Sequence, residues 1–186
     1  MPDEIAMLEQ QIASLKKKRT ELLRKAAAQP VENYRLKRPD GASVALADLF
    51  GDKRDLLLIH NMGRGCAYCT LWADGFNSHY PYYADRAAFV LASPDEPATL
   101  TEFSASRGWR FPTVSIHGST IAKDLGFEPE PGKFWPGVSA LRKDDNGSIR
   151  RSGMSHFGPG DDFCPVWPMF DLLEEGPNDW APRYNK

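Results

Sequence analysis

Apolar residues recur along this chain in two rhythms, and the switch between them marks the elements. Over residues 3–28, Ile5, Leu8, Ile12, Leu15 and Leu22 follow a three-four spacing, with Arg19 in the one missing position. That period lays them along one narrow seam of a helix. Lys16, Lys17, Lys18, Glu21 and Arg24 fall on its other face. Pro30 is expected to end the helix. A seam this narrow suits an arm packed on its own domain, a dimer contact, or a helix that binds another partner.

Further along, the pattern turns to short continuous apolar runs. Residues 56–59 (Leu, Leu, Leu, Ile) and 87–92 (Ala, Ala, Phe, Val, Leu, Ala) read as strands buried on both faces. Asp40-Gly41 marks a turn before them, and Val44, Leu46, Leu49 and Phe50 return to the core. Ser93-Pro94 stops the second strand. Pro97 starts a helix over 98–107, and Gly108 closes it. Residues 113–116 and 138–142 read as further strands. Asp145-Asn146-Gly147 predicts a hairpin into 148–151. Residues 166–173 read as a last short helix with Met169, Leu172 and Leu173 as its apolar set. A polar tail follows, with Trp180 and Tyr184 as candidate anchors. Strands alternating with helices predict an α/β sheet covered on both faces. The expected organisation is a helical arm over 1–30, an α/β domain over 31–176 and a tail over 177–186.

Composition narrows the function. The chain has 186 residues, 41% hydrophobic and 26% charged, with a net charge of −2. These values suit a globular protein and carry no nucleic-acid footprint. No apolar run approaches the roughly 20 residues that span a membrane. The N-terminus is polar and lacks a signal-peptide core, so a cytoplasmic location is expected. Three cysteines do not make a disulfide framework. In a reducing compartment a close pair points to redox or metal chemistry.

That pair is Cys66 and Cys69, with Ala67 and Tyr68 between them. It follows the 56–59 strand and the Gly63-Arg64-Gly65 loop, and a helix-compatible run (Thr70, Leu71, Trp72, Ala73) comes next. A helix start would place Cys66 at unpaired N–H groups and the positive end of the dipole, which favours thiolate. Cys69 lies one turn on and can reach back to form a disulfide. The redox reading assigns Cys66 as nucleophile and Cys69 as resolving thiol, with no organic cofactor. Its substrates would be a small thiol, a peroxide or a protein disulfide. The other reading is a Cu or Zn site on Cys66 and Cys69, completed by His60 or His79. A ligand role for His79 requires the helix to break near Asp74-Gly75 or Asn77.

Other residues keep more than one reading. His156 and Cys164 lie in a loop rich in Gly and Pro. Cys164 suits resolving an oxidised Cys66, binding a metal, or packing beside Phe163 and Trp167. Trp72, Trp109, Trp135 and Trp167 suit either a cleft for a flat ligand or simple packing. Asp161-Asp162 reads as a cap or turn. Arg142-Lys143 and Arg150-Arg151 read as a solvated face.

Residues 60–77 also carry a resemblance, from His60-Asn61-Met62-Gly63 through the CxxC pair to Trp72-Ala73-Asp74-Gly75-Phe76-Asn77. Together with Arg107-Gly108-Trp109-Arg110-Phe111-Pro112 and residues 157–164, this pattern resembles the thioredoxin-like domain-of-unknown-function family eight-nine-nine. Its members are catalogued as predicted dithiol-disulfide oxidoreductases. The resemblance implies a thioredoxin-like fold and a role for Cys66 and Cys69 in exchange. The chain departs from thioredoxin itself, because Ala67-Tyr68 replaces Gly-Pro and no Trp precedes Cys66. For the cis-proline that faces the dithiol in thioredoxins, Pro136 is the candidate by position and Pro112 the alternative.

Overall fold

The computed structural model describes residues 2–183, so Tyr184 lies outside the described residues. The elements run in chain order as follows. Helix α1 spans Pro2–Lys25, and strands β1 (Gln29–Val31), β2 (Arg35–Lys37) and β3 (Ser43–Ala45) come next. A 3-10 turn covers Leu46–Phe50, leading to β4 (Asp55–His60) and α2 (Ala67–Arg86). Then come β5 (Ala88–Ser93), α3 (Pro97–Arg107), β6 (Thr113–Ser115) and the short α4 (Ile121–Asp124). Strands β7 (Gly137–Lys143) and β8 (Ile149–His156) and helix α5 (Val166–Phe170) complete the set.

One sheet joins all these strands in the order β1-β8-β7-β4-β5-β6-β2-β3. The β4, β5 and β6 strands are parallel neighbours; β7 runs antiparallel beside β4, and β8 antiparallel beside β7. Alternation along the central strands divides the interior into two cores, one on each face. Leu56, Leu58, Val90 and Ala92 point to a core with Phe50, Ile121 and Phe127. Ile59, Phe89 and Leu91 point to another, with Trp72 and Phe76 of α2 and Leu100 of α3. This mixed sheet with flanking helices is the thioredoxin-like architecture that the resemblance implies.

The structure extends or corrects several expectations. Helix α1 stops at Lys25, and Pro30 sits inside β1. That strand pairs only with β8, at the sheet edge, where a proline is tolerated. Strand β8 runs on through Ser152, Gly153 and Ser155, residues whose polarity and small size hid it from the apolar pattern. Helix α5 buries Trp167, whereas Met169, Leu172 and Leu173 are exposed. The expected apolar set is therefore not its packing face. The two basic pairs are no free solvated face. Arg142 bonds Asp55, Lys143 reaches the Ala47 carbonyl, Arg150 pairs with Asp144 and Arg151 donates to the Leu125 carbonyl.

Two local devices explain the least generic motifs. Asp74 on α2 accepts from the Trp109 indole N–H at 2.8 Å and pairs with Arg107. Three residues on, the Asn77 amide donates to the Gly108 carbonyl and its oxygen accepts from the Arg110 N–H. Pro81 lies inside α2 and cannot donate to the carbonyl four residues back. That carbonyl, on Asn77, accepts from the Arg110 guanidinium instead, at 2.8 Å. Residues 72–77 and 107–110 thus clamp α2 to the loop after α3. At the other device, Gly137 is in register with His60 on one side and His156 on the other. A Cβ there would lie 2.4 Å from Phe127 Cε1 and from the Ser155 carbonyl oxygen. Its missing side chain lets the Phe127 ring settle against both histidines, 3.7 Å from His60 and 4.9 Å from His156 between ring centroids.

Candidate active site

Strand β4 ends at His60, and the chain then turns over the carboxyl edge of the sheet. Asn61 donates its backbone N–H to the Ala92 carbonyl, and its side-chain oxygen accepts from Gly63 N–H at 2.7 Å. Gly63 has φ +96, and a Cβ there would press 3.0 Å against Asp95. Both facts call for glycine. Asp95 sits just beyond β5 and accepts from the Arg64 N–H at 2.8 Å and the Ser93 hydroxyl at 2.9 Å. Asn61 and Asp95 therefore pin the loop that delivers Cys66. Sequence reasoning assigned neither a role. The available signal was a short polar residue two positions past the first apolar run and three past the second.

Cys66 is the N-cap of α2, with extended backbone, and its sulfur accepts from the Cys69 N–H at 3.1 Å. The cap is the position the sequence predicts. Thr70 N–H and hydroxyl both return to the Cys66 carbonyl. The thiol of Cys66 is half-buried, while Cys69 lies one turn deeper and is 3% exposed. The two thiols are driven apart in acidity. A hydrogen bond from the Cys69 thiol is the largest influence lowering Cys66. The N–H groups of Cys69 and Tyr68 add to it against the cost of burial, and its pKa falls from 9.0 to about 7. Cys69 is raised, first by that same bond to Cys66, then by burial and by the Cys66 charge. The Met62 N–H, 3.5 Å from the Cys69 sulfur, opposes that rise only weakly. The site thus offers one ionisable, reachable sulfur and one protonated sulfur held behind it.

The metal reading fares differently. Among the described residues no group of three or more His, Cys, Asp or Glu side chains is arranged to hold an ion. His60 and His79 do not join the thiols as a ligand set. Helix α2 runs unbroken through Gly75 and Asn77. His79 therefore lies about 15 Å along the axis from Cys69, with Nδ1 near the Gly75 carbonyl. The His60 ring is buried, stacked on Phe127 on the face opposite α2, with Nε2 2.9 Å from the Ser139 hydroxyl. Burial first, then the Arg151 and His156 charges, push its pKa down to about 3, so it stays neutral.

Cys164 packs in the aromatic core with Trp72, Phe157 and Trp167, and burial pushes its thiol pKa up. Asp161 forms the expected turn, accepting from the Phe163 and Cys164 N–H groups. Asp162 instead bonds Lys16 and Arg19 of α1. Of the four tryptophans weighed for a cleft, Trp72 and Trp167 are buried and Trp135 is half exposed against His156. Among the described residues every peptide bond is trans, including those before Pro112 and Pro136. A cavity of about 390 Å³ opens between α2 and residues 160–171, but neither Cys66 nor Cys69 lines it. Cys66 itself stands half-buried at the start of α2.

A mixed sheet with a helix-capping thiol at its carboxyl edge defines a thioredoxin-like protein. Within that class, the chain belongs to a family of bacterial proteins of unknown function, DUF899, whose model matches residues 3–185. No curated protein matches the sequence. Solved structures share the fold. The chain is similar to PrxQ from Xylella fastidiosa, with 15% identity, a TM-score of 0.57, and coverage of 70% of this chain and 85% of that one. It is similar to the peroxidoxin BcpB from Mycobacterium tuberculosis, with 22% identity, a TM-score of 0.54, and coverage of 66% and 80%. An uncharacterized conserved protein from Geobacillus kaustophilus gives 15% identity, a TM-score of 0.54, and coverage of 75% and 72%. Among the described residues no helix is long and apolar enough to cross a membrane.

Proposed function

We propose that the protein is a thiol–disulfide oxidoreductase that works through Cys66 and Cys69. The observation that supports this best is the split between the two thiols, one lowered at a helix cap and one raised beneath it. The Cys66 thiolate attacks one sulfur of a substrate disulfide. The substrate S–S bond breaks, and the expelled thiolate takes up a proton. Cys69 then gives up its proton and attacks the Cys66 sulfur of the mixed disulfide, expelling the second substrate thiol. The substrate gains two electrons and two protons, and the protein ends with a Cys66–Cys69 disulfide. A small thiol reductant, in a reducing compartment such as the cytoplasm, would reverse this and close the cycle. Neither half of the cycle needs an organic cofactor.

A peroxide is the second substrate class, favoured by the half-burial of Cys66, which admits a small molecule readily. There the thiolate attacks one oxygen, the O–O bond breaks and the leaving oxygen takes a proton. Cys66 becomes a sulfenic acid, which Cys69 converts to the disulfide with loss of water. Mixing reduced protein with glutathione disulfide tests the primary reading. Wild type should release two glutathiones per chain. Cys69→Ser should release one and hold the other on Cys66, seen by mass. No release from wild type, or capture on Cys164, would overturn it.

A further inference from the structure

Helix α1 carries a seam that its own body leaves uncovered. Ile5, Leu8, Ile12, Leu15 and Leu22 are 46% to 65% exposed. The polar anchors of the helix come from its second half, where Lys16 and Arg19 hold Asp162. A cavity of about 260 Å³ lined by Arg19, Leu23, Leu57, Val138 and Phe163 lies between that half and the sheet, so the helix sits loosely even there. A row of five large apolar side chains in water is a standing driving force for association.

Charge says what covers it. The first half of α1 carries Asp3, Glu4 and Glu9 and no base; the second carries Lys16, Lys17, Lys18, Arg19, Arg24 and Lys25 against Glu21 alone. A helix with opposite charges on its two halves is complementary to itself when reversed. The seam is also its own mirror. Reversed about a point between Ile12 and Leu15, Ile5 meets Leu22, Leu8 meets Arg19 and Ile12 meets Leu15. We infer that α1 pairs antiparallel with α1 of a second copy of this chain about a two-fold axis, closing the seam. Arg19 tolerates its place in the seam because its charge is held on Asp162 while its stem packs on Leu8. A parallel pair would set Arg19 against Arg19 and the acidic turns against each other, which repels. At 1.5 Å per residue the 24-residue helix is about 36 Å long, room for three heptads. The two-fold makes the contact self-limiting at a dimer.

Sedimentation of the full chain under reductant, across micromolar concentrations, tests this independently of the dithiol chemistry. Wild type should form a dimer. Ile12→Asp should be a monomer with unchanged helical dichroism. Glu9→Lys separates the two orientations. In the antiparallel pair this substitution sets a new positive charge among the bases of the other copy and should weaken the dimer about tenfold. In a parallel pair the new charge would face the acidic first half of the other copy and tighten it. A monomeric wild type, a dimeric Ile12→Asp, or tightening by Glu9→Lys would each overturn the inference.

Discussion

Cys66 and Cys69 carry the same thiol three residues apart, and position alone separates their acidities. The cap site surrounds Cys66 with donors: the Cys69 thiol first, then the N–H groups of the first turn. The same bond that stabilises a thiolate on Cys66 locks the proton on Cys69. Cys66 is lowered, so it becomes nucleophilic as pH rises through about 7 and gains little above that. Alkylation of reduced wild type should therefore show a rate inflection near that pH, confined to Cys66. Cys69→Ala removes the largest donor and should move the inflection up toward the ordinary thiol range. Cys69→Ser keeps an O–H in its place and should move it less. An inflection in Cys69→Ala that stays as low as in wild type would show that the helix cap, and not the second thiol, sets the acidity.

At the scale of elements, the clamp between α2 and the loop after α3 determines where that cap sits. Asn77→Ala would strip partners from the Gly108 carbonyl and the Arg110 N–H. Both groups are exposed and can rebond to water, so a loss of about 1 kcal/mol is expected in denaturant unfolding. The loss should come with a smaller change in Cys66 acidity, since the cap itself is intact. Much of this level was legible in sequence. The 56–59 and 87–92 runs marked β4 and β5 because strands buried on both faces leave no polar alternation to misread. Pro97 and Gly108 bracketed α3 through fixed φ and positive φ. What stayed hidden depends on long-range partners. Strand β8 shows little apolar pattern because Gly153 and Ser155 are held by pairing with β7, while Ser152 bulges out of the register. Asp95 looks like any turn acid until the fold brings it against Gly63 and Arg64. His60 resembled a ligand from its place before the CxxC loop. Strand alternation instead turns its ring onto Phe127, on the face away from α2.

For the whole molecule, the arrangement follows from a sheet with a core on each face. The parallel strands β4 and β5 deliver Asn61 and Asp95 to one edge, and the loop they pin delivers Cys66. Helix α2 covers one face and carries Cys69 inward. The third thiol, Cys164, is tied into the aromatic core around Trp72 and Trp167, so oxidation at the edge should leave it untouched. The central claim is that the first two thiols form one redox unit. The most direct test is to equilibrate the reduced chain with excess glutathione disulfide, block the remaining thiols and map the disulfides by mass. The account predicts a Cys66–Cys69 bond within one chain and a free Cys164. A bond to Cys164, a bond between chains, or unmodified Cys66 and Cys69 would contradict it.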